Sequence, residues 1–135
     1  MIHMNFVLSK RFLVNAAGAL TVIHLAGSLL GWYKTSAWFD IALHVLWGWM
    51  IAVIFILVAR NKISMSGPFF LLCMMGVGAL FAVGWELFEF AFDYLIAARG
   101  WADYAQKGLD DTMSDLFWQV AGSALGLIKI KKHAQ

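Results

Sequence analysis

Charged residues are scarce in this 135-residue chain, and their scarcity excludes most water-soluble classes of protein. Asp, Glu, Lys and Arg make up 13% of the sequence, whereas a soluble domain carries about 25%. The single cysteine, Cys73, excludes an internal disulfide, and a net charge of +2 without a basic cluster argues against nucleic-acid binding. A hydrophobic content of 62% excludes a disordered chain. What remains is a small integral membrane protein.

Long apolar runs are what the chain has in abundance. A transmembrane helix needs about 20 such residues, and these runs lack the alternation of a membrane β-barrel. The sequence therefore predicts an all-α polytopic membrane protein, a four-helix transmembrane bundle that forms a single domain over residues 1–135. The third run begins at Pro68, a residue type favoured in the first turn of a helix. The predicted helices cover residues 12–32, 38–59, 68–98 and 112–130.

The basic residues predict the orientation of this bundle. If the chain crosses the bilayer four times, seven Lys and Arg residues lie on the side of both termini and three on the opposite side. An excess of Lys and Arg marks the cytoplasmic side, so we expect cytoplasmic termini in a multi-pass protein of the inner (cytoplasmic) membrane. The seven are Lys10, Arg11, Arg60, Lys62, Lys129, Lys131 and Lys132, and the three are Lys34, Arg99 and Lys107.

All eight carboxylates fall toward the predicted outer side, and several of them lie inside apolar runs. An ionisable group within a span costs about 3 kcal/mol and usually faces the interior of the bundle. Residues three, four or seven positions apart share one face of a helix, so the polar stripes are expected to meet in an outward-facing pocket. The stripes are Asp40 and His44 on the second helix, Glu86, Glu89 and Asp93 on the third, Asp111 and Asp115 on the fourth, and His24 on the first.

Clustered carboxylates repel one another unless a cation, shared protons or basic partners offset their charge. Oxygen ligands with one imidazole suit a divalent cation such as Mg²⁺, Mn²⁺, Ca²⁺ or Zn²⁺. His44 is also the candidate catalytic residue for proton transfer. Asp40 and His24 are expected to lie in the second shell, where they orient the metal ligands, and Arg99 is an available basic partner of the carboxylates. The candidate metal ligands are Glu86, Glu89, Asp93, Asp111, Asp115 and His44.

Several functions remain open at this point. A cation held by carboxylates polarises a phosphoryl oxygen or activates water, which suits an enzyme or a binder of a lipid or envelope-precursor phosphate at the outer leaflet. Alternatively, the cluster is structural, proton-sharing or ion-conducting in a non-enzymatic membrane component, although the apolar inner halves of the helices argue against a channel formed by one chain. A haem held by His24 and His44 is a further alternative, which the acidic surroundings disfavour.

The order of these motifs on successive helices resembles the YjdF-like family of small bacterial inner-membrane proteins, which is itself similar to the VanZ-like group. The resemblance covers roughly residues 40–126. It implies a polytopic membrane fold with a shared polar site in the cell envelope, and it implies no reaction. The matching motifs are Asp40 and His44 followed by Gly48, then Trp85-Glu86-Leu87-Phe88-Glu89, then Asp111-Thr112-x-x-Asp115, and finally Ala121-Gly122-Ser123-Ala124-Leu125-Gly126.

Overall fold

The computed structural model describes residues 10–59 and 67–131, and every regular element within them is a helix. This confirms the all-α prediction for the described part of the chain. Arg60, Lys62 and Lys132, which contribute to the predicted orientation, lie outside the described residues. The helices are α1 (Lys10–Leu29), α2 (Trp32–Thr35), α3 (Ala37–Ala59), α4 (Gly67–Leu95) and α5 (Leu109–Lys131), with a 3-10 turn at Ala97–Arg99.

Three helical segments are long and apolar enough to cross a bilayer: Arg11–Leu29, Ala37–Ala59 and Gly67–Arg99. Helix α5 has a comparable length of 23 residues, but its first two turns carry Asp110 and Asp115, among other acidic residues, which lower its mean hydropathy. The fold is therefore that of a helical membrane protein. A fourth span and cytoplasmic termini stay predictions.

Glycines set both ends of α4. The helix begins at Gly67, whose φ of 88° lies in the left-handed region that glycine tolerates, and Pro68 follows with a φ already suited to the first turn. After Leu95 the chain tightens into the 3-10 turn and reverses at Gly100, where φ is 75°. The chain therefore leaves α4 sharply and returns across the end of the bundle.

Helices α3 and α5 touch backbone to backbone. A Cβ atom added to Gly48 would overlap the carbonyl oxygen of Gln119, and one added to Gly122 would overlap the carbonyl oxygen of Val45. At the same level Ser123 donates its hydroxyl to the carbonyl oxygen of Gly48 at 3.0 Å. Small residues at such contacts let membrane helices approach closely. The side chains that flank this contact are therefore held at fixed separations.

The remaining helices pack on α3 through two apolar clusters. Leu20 of α1 contacts the cluster formed by Leu43 and Met50, and α4 contributes Phe70 and Met74 to a second cluster nearer the other end of α3. The outward faces of α1 and α4 carry many large apolar side chains that stay exposed. Such an exposed apolar surface is expected where the solvent is lipid rather than water.

The connector between α4 and α5, residues 100–108, folds back over one end of the helices. The carboxylate of Asp93 accepts hydrogen bonds from the backbone N–H groups of Ala105 at 2.7 Å and Gln106 at 3.0 Å. Lys34, from the connection between α1 and α3, pairs with Asp103 at 2.6 Å. Both connections thus lie at the same end of the bundle, which we call the connector end.

Candidate functional site

Three ionisable side chains meet at the connector end. Asp40 and His44 lie one turn apart on α3, and Asp115 reaches them from the second turn of α5. His44 Nε2 lies 3.6 Å from Asp40 Oδ1 and 3.6 Å from Asp115 Oδ2. One ligand atom from each residue lies within 4.8 Å of the other two. His44 and Asp115 are buried, and the side chain of Asp40 is 14% exposed, so the group is almost closed to bulk water.

The orientation of the His44 ring is set by Gln119. His44 Nδ1 lies 3.1 Å from the side-chain oxygen of Gln119, one turn after Asp115 on α5. An amide oxygen only accepts hydrogen bonds, so Nδ1 is the donor. In the neutral ring Nε2 then carries the lone pair, and this lone pair faces the two carboxylates. A second-shell acceptor on Nδ1 is the usual support for a metal-binding histidine.

The spacing of the three groups fits a shared cation better than direct hydrogen bonds. A separation of 3.6 Å is too long for a good hydrogen bond between a ring nitrogen and a carboxylate. Two ligands bound about 2.1 Å from one ion at a tetrahedral angle lie about 3.4 Å apart. One imidazole and two carboxylates are donor types that zinc and several other divalent cations accept.

Lys107 covers the open side of this group. Its Nζ lies 2.8 Å from Asp40 Oδ2 and 3.5 Å from Asp111 Oδ1, while its backbone N–H is donated to Asp111 Oδ2 at 3.3 Å. Partial burial lowers the pKa of Lys107, but the hydrogen bond and negative charge of Asp40, together with Asp111, outweigh it and raise the pKa above its usual value. Lys107 is therefore a fixed positive charge at neutral pH.

The other predicted ligands lie outside the three-residue group found among the described residues. Glu86 Oε2 accepts a hydrogen bond from the side chain of Gln106 at 3.1 Å, and its buried Oε1 has no hydrogen-bond partner within residues 10–59 and 67–131. Glu89 accepts the indole N–H of Trp85 at 2.8 Å. Asp93 holds the connector, as described above, and Asp111 is engaged by Lys107. Of the predicted ligand set, the structure brings together His44 and Asp115. Asp40, which was predicted to orient the ligands from the second shell, lies in the same group as these two residues.

His24 does not belong to this group and packs instead against the aromatic side chains of Tyr33 and Trp85. Its Nδ1 is hydrogen-bonded to the hydroxyl of Tyr33, and its ring packs edge-on against Trp85 with centroids 5.3 Å apart. Burial, together with the charges of Asp40, Glu89 and Asp115, raises the pKa of Tyr33. The phenol therefore stays protonated and donates to His24.

A cavity of about 190 Å³ beside the three-residue group is lined by residues from all five helices. Pockets that enclose a drug-sized ligand measure about 300 to 1,000 Å³, so this cavity is too small for a haem between the two histidines. Its polar lining atoms lie at the connector end and aromatic rings form most of the rest. The lining residues are His24, Tyr33, Asp40, Leu43, His44, Trp47, Ile51, Phe81, Trp85, Glu89 and Gln119.

Sequence reasoning missed the contributions of the connector. Arg99 was the expected basic partner, but its guanidinium stacks 5.4 Å from the ring centroid of Trp101, and Lys107 pairs with Asp40 instead. A lone lysine four residues before Asp111, within an otherwise acidic segment, is the signal that points to this role. Gln106 leaves no comparable pattern in the sequence, because its contacts depend on the fold-back of the connector.

Comparison with known proteins places the chain among membrane proteins without adding a reaction. Residues 2–133 match the model of a family described as "Predicted membrane protein (DUF2238)". An "Uncharacterized protein" from Thermotoga maritima is 32% identical over 99 residues, which cover 71% of this chain. The chain spans about half the length of that relative, 49%. No solved structure matches the chain.

Proposed function

The chain belongs to the DUF2238 family of predicted membrane proteins, and we propose that it holds a divalent cation between Asp40, His44 and Asp115. The cation in turn holds a phosphate group of a lipid or envelope precursor at the membrane surface. The protein acts as a multi-pass component of a bacterial inner membrane, with the connector end facing outward. The resemblance of its motifs to YjdF-like and VanZ-like proteins supports this location.

The observation that carries the proposal is the position of His44 Nε2, at 3.6 Å from a carboxylate oxygen on each side. With Nδ1 donating to Gln119, a neutral ring directs a lone pair at two negative oxygens. That arrangement is repulsive unless the positive charge of a metal ion or of a proton lies among the three atoms. A small divalent cation supplies that charge and leaves a coordination position for a phosphate oxygen or a water molecule.

The local balance of charge supports the same conclusion. Asp40, Asp111 and Asp115 contribute three negative charges when ionised, and Lys107 contributes one positive charge, so two negative charges remain. A divalent cation offsets them. Glu86 and Glu89 add further carboxyl groups at the same end and strengthen the requirement for a cation or for shared protons.

A second candidate function is proton sharing without a metal. The buried Oε1 of Glu86 has no hydrogen-bond partner within the described part of the chain, which is costly for a buried carboxylate oxygen. Protons shared within the cluster would then stabilise it in a non-enzymatic membrane component. The two candidates differ in whether the purified protein retains a metal ion.

The first test is the metal content of the detergent-purified protein. We expect close to one divalent ion per chain in the wild type, and its loss in Asp115→Asn, because a neutral amide is a weaker ligand than a carboxylate. Asp103→Asn is the matched control, since that carboxylate is exposed and pairs with Lys34. Wild-type protein that is free of metal and melts at the same temperature in chelator would reject the metal site and support proton sharing.

A second measurement separates an enzyme from a binder. The wild type and Asp115→Asn are incubated with lipid phosphates and the released phosphate is measured. If the cation activates water for hydrolysis, release depends on Asp115 and on the added metal. Equal release from both proteins would leave binding as the function of the site.

A further inference from the structure

The small cavity beside the candidate metal centre combines carboxylates with aromatic rings. Glu89 provides a carboxyl group that neither Lys107 nor the proposed cation uses, and Tyr33, Trp47, Phe81 and Trp85 form much of the wall. Aromatic faces and carboxylates together recognise organic ammonium groups, through cation–π attraction and charge-assisted hydrogen bonds. Among the residues that line the cavity there is no lysine or arginine, so its lining attracts a cation.

The structure already contains one ammonium group in this chemical setting. Lys107 Nζ lies 2.8 Å from Asp40 Oδ2 and 5.7 Å from the ring centroid of Tyr33. On the other side of the cavity, Glu89 Oε1 accepts the indole N–H of Trp85, and its Oε2 accepts no hydrogen bond from any described residue. That second oxygen is the available acceptor for an incoming ammonium group.

A shallow apolar groove leads from the lipid-facing surface of α4 to this cavity. The groove is formed by Leu80, Phe81, Gly84 and Trp85, of which Phe81 and Trp85 also line the cavity. Leu80 and Phe81 are 72% and 59% exposed, which places the groove on the surface that meets acyl chains. Gly84 has no atom within 4 Å of an added Cβ, so the groove is open at this point.

We propose that the cavity receives the primary ammonium headgroup of an ethanolamine-type phospholipid, with an acyl chain in the groove. A primary ammonium has three N–H donors, which match carboxylate acceptors better than a quaternary group does. A cavity of about 190 Å³ holds a headgroup rather than a whole lipid. This inference rests on the proposed function, because the phosphate of the same lipid is the group that the cation holds.

Native mass spectrometry of the purified protein tests the headgroup. Phosphatidylethanolamine, phosphatidylcholine and phosphatidylglycerol with identical acyl chains are added in turn, and bound lipid is counted. We expect phosphatidylethanolamine to bind about tenfold more tightly than the other two, since it alone offers an ammonium with N–H donors. Glu89→Gln should remove most of this preference while the mass of the bound metal persists. Equal binding of the three lipids would overturn the proposal.

The groove provides a second test that does not depend on a charged residue. Gly84→Leu adds a side chain whose Cβ has no atom within 4 Å, and it improves helix propensity, so we expect a folded protein with weakened phosphatidylethanolamine binding. Gly76→Leu is the matched control, because Gly76 lies in equally open space on α4 outside the groove. Free ethanolamine is the other arm: if it binds well and Gly84→Leu leaves lipid binding unchanged, the ligand is a soluble amine and the lipid assignment is wrong.

The same spectra separate this proposal from the metal site. Asp115→Asn removes the metal but leaves Glu89 and the aromatic side chains that line the cavity. A residual preference for phosphatidylethanolamine over phosphatidylcholine should therefore persist. A wild type without metal that still prefers phosphatidylethanolamine would reject the cation and retain the ammonium cavity. A wild type that carries metal without lipid preference would reject the cavity and retain the cation.

Discussion

At the scale of single residues, the candidate site depends on how one imidazole is held. His44 touches Asp40 and Asp115 through Nε2 and Gln119 through Nδ1, so both nitrogens have defined partners. If the hydrogen bond to Gln119 is lost, the ring can rotate about its side-chain bonds and take the other tautomer. The lone pair would then no longer face the two carboxylates.

We therefore predict that Gln119→Ala lowers the affinity for the divalent cation by about 10–100-fold, the usual effect of removing a partner of a metal-binding histidine. Gln119→Glu restores an acceptor and should recover most of the affinity. Competition with a chromogenic chelator measures both values, and a helical circular dichroism spectrum checks that the variants fold. Unchanged affinity in Gln119→Ala would contradict the role of Gln119 in orienting His44 for the cation.

At the scale of elements, the contact between α3 and α5 depends on the absence of two side chains. Gly48 and Gly122 each face a backbone carbonyl group of the other helix, so a methyl group at either position forces the helices apart. The donors at the connector end lie on these same two helices. A substitution at Gly48 is therefore expected to change the distance between the donor atoms of α3 and α5, although Gly48 lies about one turn from His44.

Gly48→Ala is expected to destabilise the protein by about 1–3 kcal/mol or more, the range for overpacking a tight contact. Gly76→Ala is the control: its position is open, and alanine in a helix is more favourable than glycine by about 0.5–1 kcal/mol. Thermal unfolding in detergent measures the difference. Equal melting temperatures for the two variants would contradict the close approach of α3 and α5.

The sequence predicted these elements well and the connector poorly, for a physical reason. Apolar runs and spacings of three or four residues are repeated signals, so the helices and a shared pocket for Asp115 and His44 could be inferred. The roles of Asp93 and Lys107 depend on single hydrogen bonds from a non-helical segment, which leave no periodic pattern. Asp93 was grouped with Glu86 and Glu89 by helical spacing alone, and the structure pairs its carboxylate with the backbone of the connector.

At the scale of the whole molecule, the position of α5 bears on the number of spans. Asp115 lies beside His44, and Gly126 lies beside Ala52 on the same helix α3, so α5 runs parallel to α3 over much of its length. Ala37–Ala59 is long and apolar enough to cross the bilayer, so we expect α5, which packs along it, to lie at the same depth in the membrane. This favours α5 as the fourth span despite its acidic beginning.

Accessibility labelling tests that topology. In a Cys73→Ala background, a cysteine is introduced in place of Asp103, at the connector end, or in place of Asn5, near the amino terminus. We expect a membrane-impermeant thiol reagent added to intact cells to label the first and spare the second, because the basic residues predict cytoplasmic termini. Labelling of the second alone would reverse the orientation and place the candidate site on the inner face.

The backbone contact at Gly48 and Gly122 also bears on size selectivity. Helices that meet main chain to main chain have no side chains to rearrange, so the gap between the donors of α3 and α5 is rigid. Calcium binds six to eight oxygens at about 2.3–2.6 Å and requires a compliant shell, whereas zinc fits a compact set of few ligands at about 2.0–2.1 Å. If a cation binds at Asp40, His44 and Asp115 as proposed, we expect this close contact in the middle of the bundle to favour ions of small radius.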